Sequence, residues 1–144
     1  MIVSINNSII FMKGDDSMVC PQGDIDRYLE DTKELFKNNK YIISYNDNRR
    51  ENYQLVMDYV ISEYDKKMIL LSITSEDFVK RESNTKEKYH NEIMYVFGKS
   101  VDLMSRDTGN LEQVQLYIKM CVISAFCTVV SFHKAKYPIH YAFI

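Results

Sequence analysis

The chain has 144 residues, 26% charged and 46% hydrophobic, with a formal net charge of −2. That length can bury the core of one domain, and the apolar content excludes a disordered chain. Arg49-Arg50 and Lys66-Lys67 are too short to make a basic footprint, so no nucleic-acid partner is expected.

Ile2–Ile5 and Ile9–Met12 flank Asn6-Asn7, which tolerate positive φ; residues 1–20 therefore read as a short β-hairpin or an arm. Gly14-Asp15-Asp16-Ser17 and Pro21-Gln22-Gly23 are breaks. Asp24 can cap a helix to about Asn38, with Ile25, Tyr28, Leu29, Leu35 and Phe36 on one face. Tyr41–Tyr45 fits a strand or more helix, and Asn46–Arg50 is a polar loop. Asn52–Tyr64 has helical period through Tyr53, Val56, Met57, Val60 and Tyr64, and Lys66-Lys67 suits its C-terminal end. Met68–Ile73 fits either strand or buried helix. Thr74 and Asp77 have capping-box spacing for a short helix carrying Phe78 and Val79. Glu82–Lys88 is charged. Tyr89, Ile93, Val96, Phe97, Ser100, Val101 and Met104 step by three and four, which predicts an amphipathic helix capped by Asn84 or Thr85. Gly98 in its interior would cost about 1 kcal/mol against Ala, which suggests the close approach of another helix. Gly109 can end it in a left-handed conformation.

Leu111–Phe132 organises the remainder. It opens with a stripe of Leu111, Val114, Tyr117 and Ile118, and from Met120 it is apolar nearly all round. A helix without a polar face must be surrounded. The expected fold class is therefore mainly α: a compact helical bundle around a buried helix at about 111–133, with a short N-terminal β-hairpin as an addition. Four glycines and two prolines suit long helices better than many tight turns. Residues 1–144 are expected to form a single domain with a helical core over 24–137. The run is too short to span a bilayer, and Lys119 interrupts its extension, so no membrane span is expected. The N-terminus lacks the cationic start of a signal peptide. Cys121 and Cys127 in the apolar stretch read as reduced core thiols of an intracellular, cytoplasmic protein.

No constellation stands out chemically. His90, His133, His140 and Cys127 lack zinc-ligand spacing, so no metal is expected. Cys20 is the more exposed thiol, but no base is paired with it. The carboxylate pairs Glu30/Glu34, Glu76/Asp77 and Asp24/Asp26 read as solvated faces. The glycines form no phosphate-binding loop, and no cofactor is expected.

Ile123–Lys136, ISAFCTVVSFHKAK, resembles the buried central helix of poxviral Bcl-fold immunomodulators: an apolar run with a small residue and a Cys that passes into an aromatic and a basic turn. The resemblance implies a non-enzymatic viral protein inside the host cell. It would modulate innate-immune signalling or apoptosis by binding a host protein, either a pro-death helix or a signalling adaptor or kinase.

Two functions remain open. The first is a protein-interaction module, not an enzyme, binding a host signalling or death-pathway protein or forming a homodimer. Its contact face would be Tyr89, Ile93, Phe97 and Val101, unless that stripe faces the core. The second is a small α+β enzyme or nucleic-acid processing factor. It requires Tyr41–Tyr45 and Met68–Ile73 to be strands, with carboxylates such as Asp47, Glu76 or Asp77 converging near strand ends. Substantial sheet would favour the second.

Overall fold

A computed structural model describes residues 21–46, 48–83 and 92–143. In order, the elements are α1 (Gln22–Lys37), β1 (Tyr41–Ile43), α2 (Arg50–Asp58), β2 (Tyr59–Val60), α3 (Glu63–Ser72), a 3-10 turn (Ser75–Asp77), β3 (Phe78–Ser83), β4 (Ile93–Ser105), β5 (Leu111–Ile123) and β6 (Phe126–Lys134). The six strands form one mixed sheet in the order β1-β6-β5-β4-β2, and β3 pairs with β4 as well. β1 lies parallel to β6, Tyr41 opposite Cys127; the other pairings are antiparallel.

The expectation of a mainly α, compact helical bundle is overturned: this is a sheet-rich α+β fold. The supposed central helix at 111–133 is two strands, and the supposed helix at 89–104 is β4 from Ile93 onward. Ser124 and Ala125 reverse the chain with φ of 52° and 59°, the left-handed pair of a two-residue hairpin turn. The long run misled because the apolar stretch from Met120 to Phe132 spans the end of one strand, a turn and most of the next, and a short apolar run cannot be told from a buried helix by periodicity. The β-branched and aromatic content of Val114–Phe132 is what tips it to strand. Ile123–Lys136, on which the Bcl-fold resemblance rests, lies mostly in β6, so the helical fold implied there is not the fold of this chain.

Elsewhere the reading needs smaller changes. α1 forms as expected, with Ile25, Leu29 and Phe36 buried; Asp24 sits in its first turn and pairs with Arg27, and Pro21 holds the cap position. The predicted 52–64 helix ends at Asp58, and a new helix starts at Ser62 with a reciprocal Ser62–Asp65 capping box. Met68–Ile73 thus falls in α3 and at its end. The Thr74–Asp77 capping box is present, but it closes a single turn, and Phe78 and Val79 enter β3. Gly109 is left-handed, at φ 75°, in the β4–β5 hairpin. The predicted N-terminal hairpin or arm, Asp47, and the segment 84–91 with Tyr89 and His90 lie outside the described residues.

The two faces of the sheet have different cover. Toward the helices, Phe97 and Leu103 of β4 join Val114, Leu116, Ile118 and Met120 of β5 and Val129 and Phe132 of β6 in the core with Ile25, Leu29, Phe36, Leu55 and Leu70. Tyr28 of α1 stacks on Tyr95 with ring centroids 3.6 Å apart. The opposite face carries Gly98, Tyr117, Lys119, Ser131 and His133 in register across β4, β5 and β6. After β6 the chain crosses this face as a strap. Ala135 N–H donates to the Gln115 carbonyl at 2.8 Å, Gln115 Nε2 donates to Tyr141 Oη at 3.2 Å, and Ala142 N–H donates to the Phe78 carbonyl at 2.9 Å. The strap needs Gly98 beneath it: a Cβ there would lie 2.6 Å from Ile139 Cδ1 and 2.9 Å from its Cγ2. The close approach inferred from the sequence at Gly98 is therefore made by the strap and not by a helix.

Candidate catalytic groove

Between the strap and the outer face of the sheet lies a cavity of about 460 Å³. Tyr117 and His133 form its floor as a cross-strand pair, stacked with centroids 5.4 Å apart and planes 18° from parallel. Ser131 lies beside them, Val79 and Lys80 of β3 bound one side, and Arg49, Glu51 and Asn52 at the start of α2 bound the other. Lys136, Tyr137, Ile139 and His140 of the strap complete the walls.

The floor is held by a side chain that replaces a strand. β1 accompanies β6 only from Cys127 to Val129, and then the chain leaves. Beyond that point Asn52, buried in α2, takes over the open edge. Its Nδ2 donates to the carbonyls of Val130 (3.0 Å) and Ser44 (2.8 Å), and its Oδ1 accepts from Phe132 N–H at 2.8 Å. Buried backbone groups left without partners are costly, so this one amide fixes both the docking of α2 and the strand that carries His133. A bulge adds to it: Lys119 faces Ser131 while Met120 faces Val129, so Val130 is left over. Bulges of this kind re-aim the side chains that follow.

One hydrogen bond orients the His133 ring. Its Nδ1 lies 2.9 Å from the Lys134 carbonyl oxygen. A carbonyl only accepts, so Nδ1 carries the proton and Nε2 is the nitrogen left for chemistry. Around it the charges are mainly positive. Lys136 pairs with Glu51 at 2.5 Å, and that hydrogen bond holds the Glu51 carboxyl below its ordinary range and lifts Lys136. Glu82 sits between Lys80 and Lys119 at 3.2 Å from each. Burial opposes its charge, but the hydrogen bonds and charges of the two lysines outweigh that and hold its carboxyl low. Among the described residues the cavity is lined by the cations Arg49, Lys80 and Lys136 and the carboxylate Glu51, with Lys136 paired to Glu51 and Lys80 to Glu82, and by the imidazoles of His133 and His140.

The residues proposed from sequence lie elsewhere. Phe97 is fully buried and Val101 packs half-buried against the core; both are on the helix-facing side of β4, with Ile93 partly exposed at the start of that strand. Of the carboxylates expected to converge, Asp77 is committed to Lys99 at 3.1 Å and to the Thr74 cap. Among the described residues no group of three His, Cys, Asp or Glu stands together as a metal site, and no helix is long and apolar enough to cross a membrane. Cys121 and Cys127 are free and buried; burial pushes the Cys127 thiol up to about 12 and raises that of Cys121. In the sequence Lys80 and Tyr137 carry no signal of their own, Tyr117 reads as part of a helix stripe, and His133 reads as a weak metal-ligand candidate within the Ile123–Lys136 run. The signal of the groove as a whole is the polar side of an alternation, Gln113, Gln115, Tyr117 and Lys119, together with the dense cations and aromatics of His133–His140. No known family matches the chain, and no curated protein matches it significantly.

Proposed function

We propose that the protein is a ribonuclease that cleaves single-stranded RNA in the strap groove by attack of the ribose 2′-hydroxyl on the adjacent phosphorus. The observation that carries the reading is His133, its ring oriented by one hydrogen bond and its free Nε2 in a cation-lined groove beside a stacked tyrosine. The reaction needs a base for the 2′-hydroxyl proton, positive charge for the phosphorane oxygens, and a proton for the departing 5′-oxygen. His133 Nε2 takes the 2′-proton as the 2′-oxygen bonds to phosphorus. Lys80 faces the charge that accumulates on the non-bridging oxygens. The Tyr117 hydroxyl gives its proton to the 5′-oxygen as the P–O5′ bond breaks, and His133 returns a proton to Tyr117 through solvent. The products are a 2′,3′-cyclic phosphate and a 5′-hydroxyl.

This takes up the α+β alternative of the sequence, with cations in place of converging carboxylates. A net charge of −2 does not count against it, because the phosphate backbone responds to the local lining and not to the total. The test is incubation of the full chain with an end-labelled single-stranded RNA and with the DNA of the same sequence. RNA cleavage ending in a cyclic phosphate, with the DNA intact, is expected. His133→Ala should lower the rate by roughly 10²- to 10⁴-fold, and Lys80→Ala by roughly 10²-fold or more. Intact RNA, or undiminished cleavage by folded His133→Ala, overturns the reading.

One observation favours a second reading, the interaction module. Val60, Met104 and Leu111 are cross-strand neighbours on β2, β4 and β5, and 47%, 44% and 69% of their surfaces are exposed. An apolar row at a sheet end suits association with a second copy of the chain or with another protein.

A further inference from the structure

Tyr137 is 79% exposed and lines the groove. Its neighbours in the chain are tied. Lys136 before it is paired with Glu51 across to α2. Pro138 after it restricts Tyr137 to extended backbone. Ile139 is lodged in the space that Gly98 leaves open, and Tyr141 and Ala142 are hydrogen-bonded to β5 and β3. The backbone is thus held on both sides of a ring that nothing covers. Arg49, Lys80 and Lys136 line the same cavity, Lys80 paired with Glu82 and Lys136 with Glu51.

We propose that Tyr137 is the base-stacking platform of the groove and the residue by which it selects single-stranded over double-stranded RNA; this rests on the ribonuclease reading. A positively charged groove with an uncovered aromatic ring is what an unpaired nucleotide can use, because every base has a face to stack while the phosphates follow the cations. A duplex keeps its bases stacked on one another and has none to offer. The occupant is a single unpaired nucleobase of the substrate strand, placed beside the scissile phosphate over Tyr117 and His133. The tied backbone presents the ring at a fixed place in the groove, so its contribution appears in affinity and not in the chemical step.

The test uses the full chain with Tyr137→Ala and Tyr137→Trp. Two readouts are taken: KM and kcat on single-stranded RNA, and the Kd for a fluorescent oligodeoxynucleotide of the same sequence, which has no 2′-hydroxyl and is not cleaved. Tyr137→Ala should raise KM and Kd by roughly 5- to 100-fold with kcat little changed. Tyr137→Trp should retain wild-type values, and any residual binding of the RNA duplex should be equal in all three proteins. Unchanged KM and Kd in Tyr137→Ala, or an equal loss on duplex, overturns the proposal. The two readings fail separately. A wild type that binds the oligodeoxynucleotide through Tyr137 but leaves RNA intact refutes the ribonuclease and retains the platform. Cleavage indifferent to Tyr137 does the reverse, and a chain that neither binds nor cleaves refutes both.

Discussion

Residues that serve two tasks at once give this molecule much of its geometry. Asn52 closes the sheet edge and also seats α2, and Glu82 holds Lys80 and Lys119 in place. The Glu82 carboxyl is held below its ordinary value of 4.5. The stabilisation that follows is fully present above the ordinary value and is lost as pH falls through the lower, folded one. Glu82→Gln should therefore be less stable than the wild type at pH 7, and the gap should close as pH falls below the ordinary carboxylate value and through the lower, folded one; denaturant melts at neutral and acid pH read this directly. The group is partly exposed, so the neutral-pH difference should be small, about 1 kcal/mol or less. Lys66 shows how a sequence can hide such a role. As half of a Lys-Lys pair it reads as a helix end, yet it is buried within α3, bonded to Tyr45 Oη at 2.5 Å and Glu63 Oε2 at 2.7 Å. Nothing local to its sequence position announces Tyr45 as a partner.

Among the elements, the strap depends on a missing side chain. Gly98 leaves the space that Ile139 fills. Gly98→Ala should cost about 1 kcal/mol, with Ile139 forced aside, and Gly98→Val about 1–3 kcal/mol. Ile139→Ala in the Gly98→Ala background should return part of the loss, so that a double-mutant cycle gives a non-zero coupling. Additive effects would show that the strap does not press on β4. The elements also show why part of the fold was legible and part was not. α1, the Thr74–Asp77 capping box and the left-handed conformation of Gly109 depend on neighbours a few residues away and were legible; the Ser62–Asp65 box, inside a stretch read as one helix, was not, nor was the hairpin that Gly109 serves. β5 and β6 depend on what covers the two faces of the sheet. In β5 the alternation is present, Gln113, Gln115, Tyr117 and Lys119 against Val114, Leu116, Ile118 and Met120, but the apolar run from Met120 to Phe132 that follows it has none as clear. A hairpin turn at Ser124-Ala125, without Gly or Asn, carried no conventional turn signal.

At the scale of the whole molecule, the groove was illegible because its residues come from three separate regions, Arg49–Asn52, Val79–Lys80 and Tyr117–His140. Only the register of β5 against β6 puts Tyr117 over His133. The exposed row of Val60, Met104 and Leu111 lies apart from the groove, on residues that do not line it. If that row joins two copies, sedimentation velocity of the wild type should show a dimer that Met104→Asp converts to monomer while RNA cleavage survives. A monomeric wild type would leave the row without that partner.

β1 finds its partner in the last strand, pairing residues 41–43 with 127–129. Loop closure over that span is slow compared with the local hairpins. During vectorial synthesis β1 waits unpaired until residues 127–129 have emerged, and His133 and Tyr137 emerge later still. A nascent chain therefore carries no assembled groove. The cleavage proposed for the groove would wait on the strap as well, because residues 136–140 supply its remaining wall.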